Sequence, residues 1–433
     1  MRKFTYFTLF ALVVFAIGCG SSEPEMVPGL KAFVGAELFD GEESPAGTTV
    51  MIVRDGRIEA IGPTTQVEIP EGAEVIDLAG KYVTPGWIES HGHVGGAKGL
   101  DTGAAAKTTE NVESQLTLLA AYGVTSVFSQ GGEPESAFAL RDGSDDPGLN
   151  RARLTMAGTI VTGPTPEEAR AQVDAAADAG VDWIKIRVDD NLGNSQKMSK
   201  ETYAAVIEQA HQHGLKVTAH LYYLEDAKGL LDAGVDLIAH SVRDVEVSDE
   251  LIATLKEKGV CLVPTLTREV STFVYESKPE FFDDPFFTKL ADPVVLEALL
   301  TPERQAASQR PGPQTYKRQL AAVASPNVKK MFDAGVGIAM GTDAGPAARF
   351  LGYFEHMELQ MMVDAGLTPT QALQTATSDA ATCLGLSDVG TLEEGKWADF
   401  AVFDEDPQAD IANTKTLSAV YVAGNLVPEA SPM

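Results

Sequence analysis

The sequence predicts an α/β protein: a (β/α)8 barrel of the TIM type, carrying a small β-sandwich domain formed by both terminal segments. Three observations lead there. Eight apolar runs alternate with Ala-rich amphipathic helices through the middle of the chain, both ends read as short strands joined by turns, and no Gly-rich phosphate loop follows the first buried run. Strands separated by helical crossovers build parallel sheets, and eight of them favour a closed barrel. The open doubly wound sheet is the rival, weakened by the missing phosphate fingerprint.

In chain order, the first element is a targeting segment. Arg2 and Lys3 precede an apolar run from Phe4 to Ile17, too short to span a bilayer and suited to a signal peptide. Ala16-Ile17-Gly18-Cys19 resembles a bacterial lipobox, so residues 1–19 are expected to be a lipoprotein signal and Cys19 the lipidated residue. Residues 20–30 form a polar tether. The competing reading is ordinary secretion with a chance cysteine. On the lipobox reading the protein is exported, lipid-anchored to the cell envelope, periplasm-facing where two membranes exist, and touches the membrane only through that anchor.

Residues 31–80 and 390–427 are expected to form the small β domain. Thr48 to Val53, Ile58 to Ile61, Asp399 to Phe403 and Ala419 to Val422 read as strands bounded by turns such as Arg54-Asp55-Gly56-Arg57 and Gly424-Asn425. Residues 81–389 are expected to form the barrel. Its buried runs are Tyr82–Ile88, Gly123–Phe128, Leu154–Ile160, Trp183–Val188, Lys216–Leu221, Leu237–Val242, Val260–Leu266 and Val336–Met340. Pro166 to Gly180 and Ser199 to Gly214 carry helix start and stop signals. An aromatic-rich insertion at about 267–325 follows the seventh run, which places it on the C-terminal face of the barrel. It reads either as a lid over the pocket or as packing on the barrel rim. Cys261 and Cys383 are read as separate buried small hydrophobes, with no disulfide framework legible.

The formal net charge is −29, from 62 acidic and 33 basic residues, among 433. Such a surface repels nucleic acid and anionic headgroups, which excludes both as partners. Homo-oligomerisation is left open.

The strongest local signal is Pro85-Gly86-Trp87-Ile88-Glu89-Ser90-His91-Gly92-His93. Residues two apart on a strand share a side, so His91 and His93 can converge on one ion. His211 and His213 repeat the spacing at the end of a helix, where positions two apart diverge by about 200°. There the imidazoles are structural. Lys185 sits among apolar neighbours in Trp183-Ile184-Lys185-Ile186, where burying an ammonium is costly and its pKa should fall. A neutral amine can capture carbon dioxide as a carbamate, whose two oxygens can bridge two metals. The alternative is a lysine that snorkels out or pairs with Asp189 or Asp190. His220, His240 and Asp343 each end a buried run. A carboxylate at the position of Asp343 can bind metal and exchange a proton with water.

With these residues in order, the chain resembles the binuclear amidohydrolase superfamily, and within it the imidazolonepropionase-like and prolidase-like branch. Further likeness lies in Ala79-Gly80-Lys81-Tyr82-Val83-Thr84-Pro85-Gly86 and Gly390-Thr391-Leu392-Glu393-Glu394-Gly395-Lys396-Trp397-Ala398-Asp399, and for the branch in Val263-Pro264-Thr265-Leu266, Gly341-Thr342-Asp343-Ala344-Gly345 and Ala365-Gly366-Leu367-Thr368-Pro369. The resemblance implies two divalent metal ions, zinc by preference, bridged by carbamylated Lys185. His91, His93, Lys185 and Asp343 would hold one, and Lys185, His220 and His240 the other. Asp343 would shuttle the proton, and Tyr222, with Tyr223 as competitor, would touch substrate. The implied reaction is hydrolysis of an amide-type C–N bond in a dipeptide, an N-acyl amino acid or a cyclic amide, with a prolidase-like dipeptidase the leading specific case. A mononuclear deaminase, a lactonase and a catalytically silent lipid-anchored binding protein are the rivals. The chain departs from the branch at Glu89 (usually Asp), Ala239 (often Glu) and Ser129-Gln130 (often Arg-Asp), which bears on substrate preference. His356 is read as a helical surface or packing residue.

Overall fold

The computed structural model describes residues 26–42 and 47–432, so the expected signal segment and Cys19 lie outside the described residues. Among the described residues, fifteen strands follow in chain order. They are β1 (Leu30–Leu38), β2 (Thr49–Arg54), β3 (Arg57–Pro63), β4 (Glu74–Asp77), β5 (Tyr82–Pro85), β6 (Trp87–Gly92), β7 (Val124–Ser129) and β8 (Arg153–Met156). Then come β9 (Trp183–Arg187), β10 (Lys216–His220), β11 (Leu237–Ala239), β12 (Cys261–Val263), β13 (Phe400–Phe403), β14 (Leu417–Val422) and β15 (Asn425–Leu426).

Both chain ends meet in one eight-stranded sheet ordered β15-β14-β13-β5-β1-β2-β3, with β4 beside β1. The junction is β1. A bulge between Val34 and Ala36 lets its first half pair with β2 and β4 while Glu37 and Leu38 pair with β5. The alternating apolar faces of β1 and β13 meet through Phe33 and Phe400, whose rings lie 4.8 Å apart. The run Tyr82–Ile88, expected as one strand, is two. β5 joins the terminal sheet through β13, Gly86 makes the break, and β6 leaves for the parallel sheet. Gly86 is required there, because a Cβ would lie 2.0 Å from Thr125 Oγ1.

The parallel strands form two ladders, β6-β7-β8 and β9-β10-β11-β12. Single bridges, Val161 with Ile186 and Leu262 with Ile338, span the gaps between ladders and towards residues 336–340. That stretch, expected as an eighth strand, makes no ladder. It is instead tied to β6 by Ser90 N to Met340 O (3.0 Å), Asp343 N to His91 O (2.7 Å) and His93 N to Ala344 O (2.9 Å). Helices cross between the strands with the expected signals. Thr165 caps Pro166–Ala179, which ends on Gly180 at φ 78°, and Ser199 caps Lys200–Gln212. Among the described residues no helix is long and apolar enough to cross a membrane.

The insertion is helical rather than loop. Helices at Leu266–Phe273, Pro293–Leu299, Pro302–Ser308 and Pro311–Gln319 run through a π-turn at Leu320–Ala324 into Ser325–Asp333. Its aromatics divide. Phe281 and Phe287 are buried against Phe350 and Tyr353 on the rim, with Phe282 stacked on Phe287, whereas Tyr316 turns inward to Tyr222. Cys261 and Cys383 are not separate hydrophobes: they form a disulfide across 122 residues, with Cα atoms 5.7 Å apart. Nothing local pairs residues that distant in sequence. The fold does, by laying the helix Ser378–Leu384 beside β12.

Candidate metal centre

The C-terminal ends of the parallel strands gather the polar side chains, as the direction of a βα crossover requires. Three of these positions leave the strand through left-handed backbone: His240 at φ 76°, Thr265 at φ 50° and Asp343 at φ 58°. Non-glycine residues in that region are strained, and such strain clusters at functional sites. Gly345 completes the turn. At φ 110° a Cβ would lie 2.1 Å from His93 O, so only glycine lets the Asp343 turn lie against β6.

All six residues singled out from the sequence come together here. His93, His91, His240 and His220 follow one another with ring centroids 5.3, 4.7 and 4.1 Å apart. Asp343 Oδ1 is 3.0 Å from His93 Nε2 and 4.0 Å from His91 Nε2. Ligand atoms of His91, His93 and Asp343 lie within 4.8 Å of one another, a grouping that suits one metal ion. Lys185 Nζ lies 3.2 Å from His91 Nε2 and donates to Gln130 Oε1 at 2.7 Å. Neither Asp189 nor Asp190 pairs with it. Asp189 Oδ2 instead meets His220 Nε2 at 2.8 Å, and Asp190 accepts from Tyr223 Oη at 2.9 Å.

The surroundings orient these groups. His93 Nδ1 lies 2.8 Å from Gly131 O, which makes it the donor and leaves Nε2 with a lone pair towards the cluster. His240 Nδ1 is 2.6 Å from Thr265 Oγ1, while its Nε2 is buried without a partner, as is His91 Nδ1. An imidazole nitrogen left bare in a cluster of ligand types is what an absent cation would satisfy, so the donor set fits divalent metal. Burial drives the His91 and His240 pKa values well below normal and that of His220 to about 3, against the pull of Asp189. These imidazoles are therefore neutral, as ligands must be. Burial also lowers Lys185 to about 7, which makes its amine available as a nucleophile near neutrality. Asp343 is pushed up by burial but held well below the carboxylate range by Arg349 and His93; Arg349 Nη1 donates to its Oδ2 at 2.6 Å.

Several functional neighbours escaped the sequence reading. Gln130, noted there only as a departure, links Lys185, Thr218 Oγ1 (3.0 Å) and Ser90 O (2.8 Å). Arg243, Arg268, Glu269 and Arg349 carried no spacing signal. Tyr222 is buried and its hydroxyl donates to Gln319 of the insertion. The control histidines behave as expected, His211 Nε2 meeting Asp236 at 2.9 Å and His213 Nε2 meeting Asp174 at 2.7 Å. His356 is buried, stacked edge-on against Trp87 and bonded to Tyr122 O, a packing role.

Comparisons with known proteins point the same way. The model of the amidohydrolase family matches residues 82–427. An uncharacterized protein of Mycobacterium tuberculosis (strain ATCC 25618 / H37Rv) is 28% identical over 384 residues, 84% of this chain and 88% of that one. Imidazolonepropionase of Pseudomonas savastanoi pv. phaseolicola is 25% identical over 398 residues, 87% of this chain and 92% of that one. A crystal structure assigned as a prolidase from Bifidobacterium longum superposes with a TM-score of 0.73 at 26% identity, covering 93% of this chain and 96% of that one.

Proposed function

The chain belongs to the amidohydrolase family, in the branch of imidazolonepropionases and prolidase-like enzymes, and from that premise we propose a binuclear hydrolase of amide C–N bonds. The observation that carries this reading is the single cluster of His91, His93, His220, His240, Asp343 and a buried Lys185 whose amine titrates near neutrality. His91, His93, carbamylated Lys185 and Asp343 would hold one divalent ion, and Lys185 with His220 and His240 a second, zinc by preference. When bound, such ions supply a water acidic enough to ionise near neutral pH and polarise the scissile carbonyl.

The chain's own groups do the rest. Asp343 takes the proton released as water oxygen bonds to the carbonyl carbon, then passes it to the nitrogen as the C–N bond breaks. Arg349 fixes that carboxylate through Oδ2, so Oδ1 keeps its place beside His93. Gln130 Oε1 accepts from both Lys185 and Thr218 and so ties them together. A dipeptide with a prolidase-like preference is the leading substrate, ahead of other N-acyl amino acids and cyclic amides. The scaffold in this proposal is a (β/α)8 barrel within residues 81–389, running from β6 onward and supported by the two parallel ladders and the bridges at Val161 and Leu262, with β5 joining the β domain of 31–80 and 390–427. The protein is exported and held at the envelope by lipid on Cys19. One observation favours a mononuclear variant of this reading: His91, His93 and Asp343 alone form a compact three-ligand group among the described residues.

The test uses the chain lacking residues 1–19, loaded with zinc or manganese, against a panel of dipeptides, N-acyl amino acids and cyclic amides. Turnover that falls about 10³-fold in Asp343→Asn is expected. An Asp343→Asn chain as active as the parent would contradict the assignment.

A further inference from the structure

Thr108, Thr165, Thr301 and Thr368 each stand before a helix and accept from the N–H three residues on, as capping threonines do. Thr265 holds the same place before the helix Leu266–Phe273 and makes no such bond. It lies at φ 50° and ψ 51°, where a β-branched residue is a genuine outlier, and its Oγ1 is 2.6 Å from His240 Nδ1. The cap comes instead from 92 residues away. Glu358, in the helix Tyr353–Asp364, accepts from Leu266 N at Oε1 and from Thr267 N at Oε2, both at 2.7 Å. Thr267 Oγ1 donates to the same Oε2 at 2.7 Å. Glu358, Thr265 and His240 are all fully buried, so bulk water cannot stand in for any of them.

The two uses of the Thr265 hydroxyl exclude each other. Turned to the leading N–H groups of its helix, it would leave the imidazole; with those groups held by Glu358, it is free for His240. Strained backbone of this kind persists only where the surroundings over-determine it. Here the Glu358 bonds to the next two residues and the contact with His240 do so. At the far side of the ring, His240 Nε2 is buried in the ligand cluster without a partner. A ligand nitrogen needs its lone pair, so the proton belongs on Nδ1, with Thr265 Oγ1 as its acceptor.

We infer that Glu358 is a positioning residue for the His240 half of the metal centre, acting by capping the helix Leu266–Phe273 in place of Thr265. It sets the orientation and tautomer of one imidazole and touches neither substrate nor ion. The inference rests on the hydrolase reading above, in which His240 holds the second ion, and adds a residue that reading does not use.

The experiment titrates zinc into the metal-free chain by calorimetry, with His240→Ala marking which ion His240 holds. Glu358→Met and Thr265→Ala are each expected to weaken that ion about 10–100-fold and to leave the other as in the parent. Both residues act through one chain of contacts, so the double variant should lose no more than either single one, and Glu358→Gln should recover part. Losses that add, equal weakening of both ions, or an affinity like the parent's overturn the inference. Should Glu358→Met fail to fold, the same readings on Glu358→Gln decide. A parent that takes up one zinc or none removes the binuclear reading, and the imidazole nitrogen NMR signals of His240 in the metal-free chain then decide alone. A proton on Nδ1 in the parent that is shared between the two nitrogens in the Glu358 variant upholds the role of Glu358. Signals alike in both proteins overturn it.

Discussion

At the scale of single residues, Lys185 is where sequence and structure agree on an anomaly. Its neighbours Ile184 and Ile186 are buried, and so is Lys185, hydrogen-bonded to Gln130 Oε1 and His91 Nε2. Burial lowers its pKa from 10.5 to about 7. The unfolded chain therefore holds a proton that the metal-free folded chain has lost between pH 7 and 10.5, and stability rises with pH across that window. The penalty is whole at and below pH 7. Lys185→Met is expected to raise the urea midpoint of the metal-free chain most at pH 6–7, the gain fading towards pH 10.5. A gain of equal size at all pH values would show that the ammonium is not the cost. Lysine in an apolar strand and His-x-His at period two were legible because each breaks or meets a rule of strand burial. Arg243 and Arg268 were not, since nothing in a chain of 33 basic residues marks the two that the insertion will cover.

At the scale of elements, strand ends carry the chemistry and were also the least legible. His240, Thr265 and Asp343 turn out of their strands at positive φ, so runs read as Leu237–Val242 and Val260–Leu266 stop at Ala239 and Val263. Apolar content continues past those points because the side chains stay buried, which periodicity cannot separate from strand. The disulfide belongs to this scale too. Cys261 on β12 and Cys383 in the helix Ser378–Leu384 clamp a parallel strand to a helix, and Gly337 gives the sulfur room, since a Cβ there would lie 2.6 Å from Cys261 Sγ. Cys383→Ala, or reduction, is expected to lower unfolding free energy by about 2–5 kcal/mol, read from urea denaturation with and without reductant. Identical curves would mean that the bond contributes nothing to the folded state.

At the scale of the molecule, the terminal sheet and the parallel strands are welded together. Arg153 of β8 places Nε 2.6 Å and Nη2 3.0 Å from the carboxylate of Asp399, both side chains buried. The ring of Trp397 lies 4.2 Å from Arg153 and 4.1 Å from Arg57, between the two units. Asp399→Ala strands the Arg153 guanidinium and should cost about 3–5 kcal/mol in denaturant, whereas a loss below ~1 kcal/mol would make the contact a bystander. That both ends share one sheet was legible from their strand-and-turn texture. That β5 belongs to it was not, because the change of sheet turns on Gly86 alone, inside an unbroken apolar run. The central claim concerns the whole molecule loaded with its ions, and metal content measures it directly. Purified without chelators, the parent chain should carry about two divalent ions and Lys185→Ala one or fewer. One ion in both proteins would contradict the bridged centre and favour the mononuclear site of His91, His93 and Asp343, and no ion in either would contradict metal catalysis altogether.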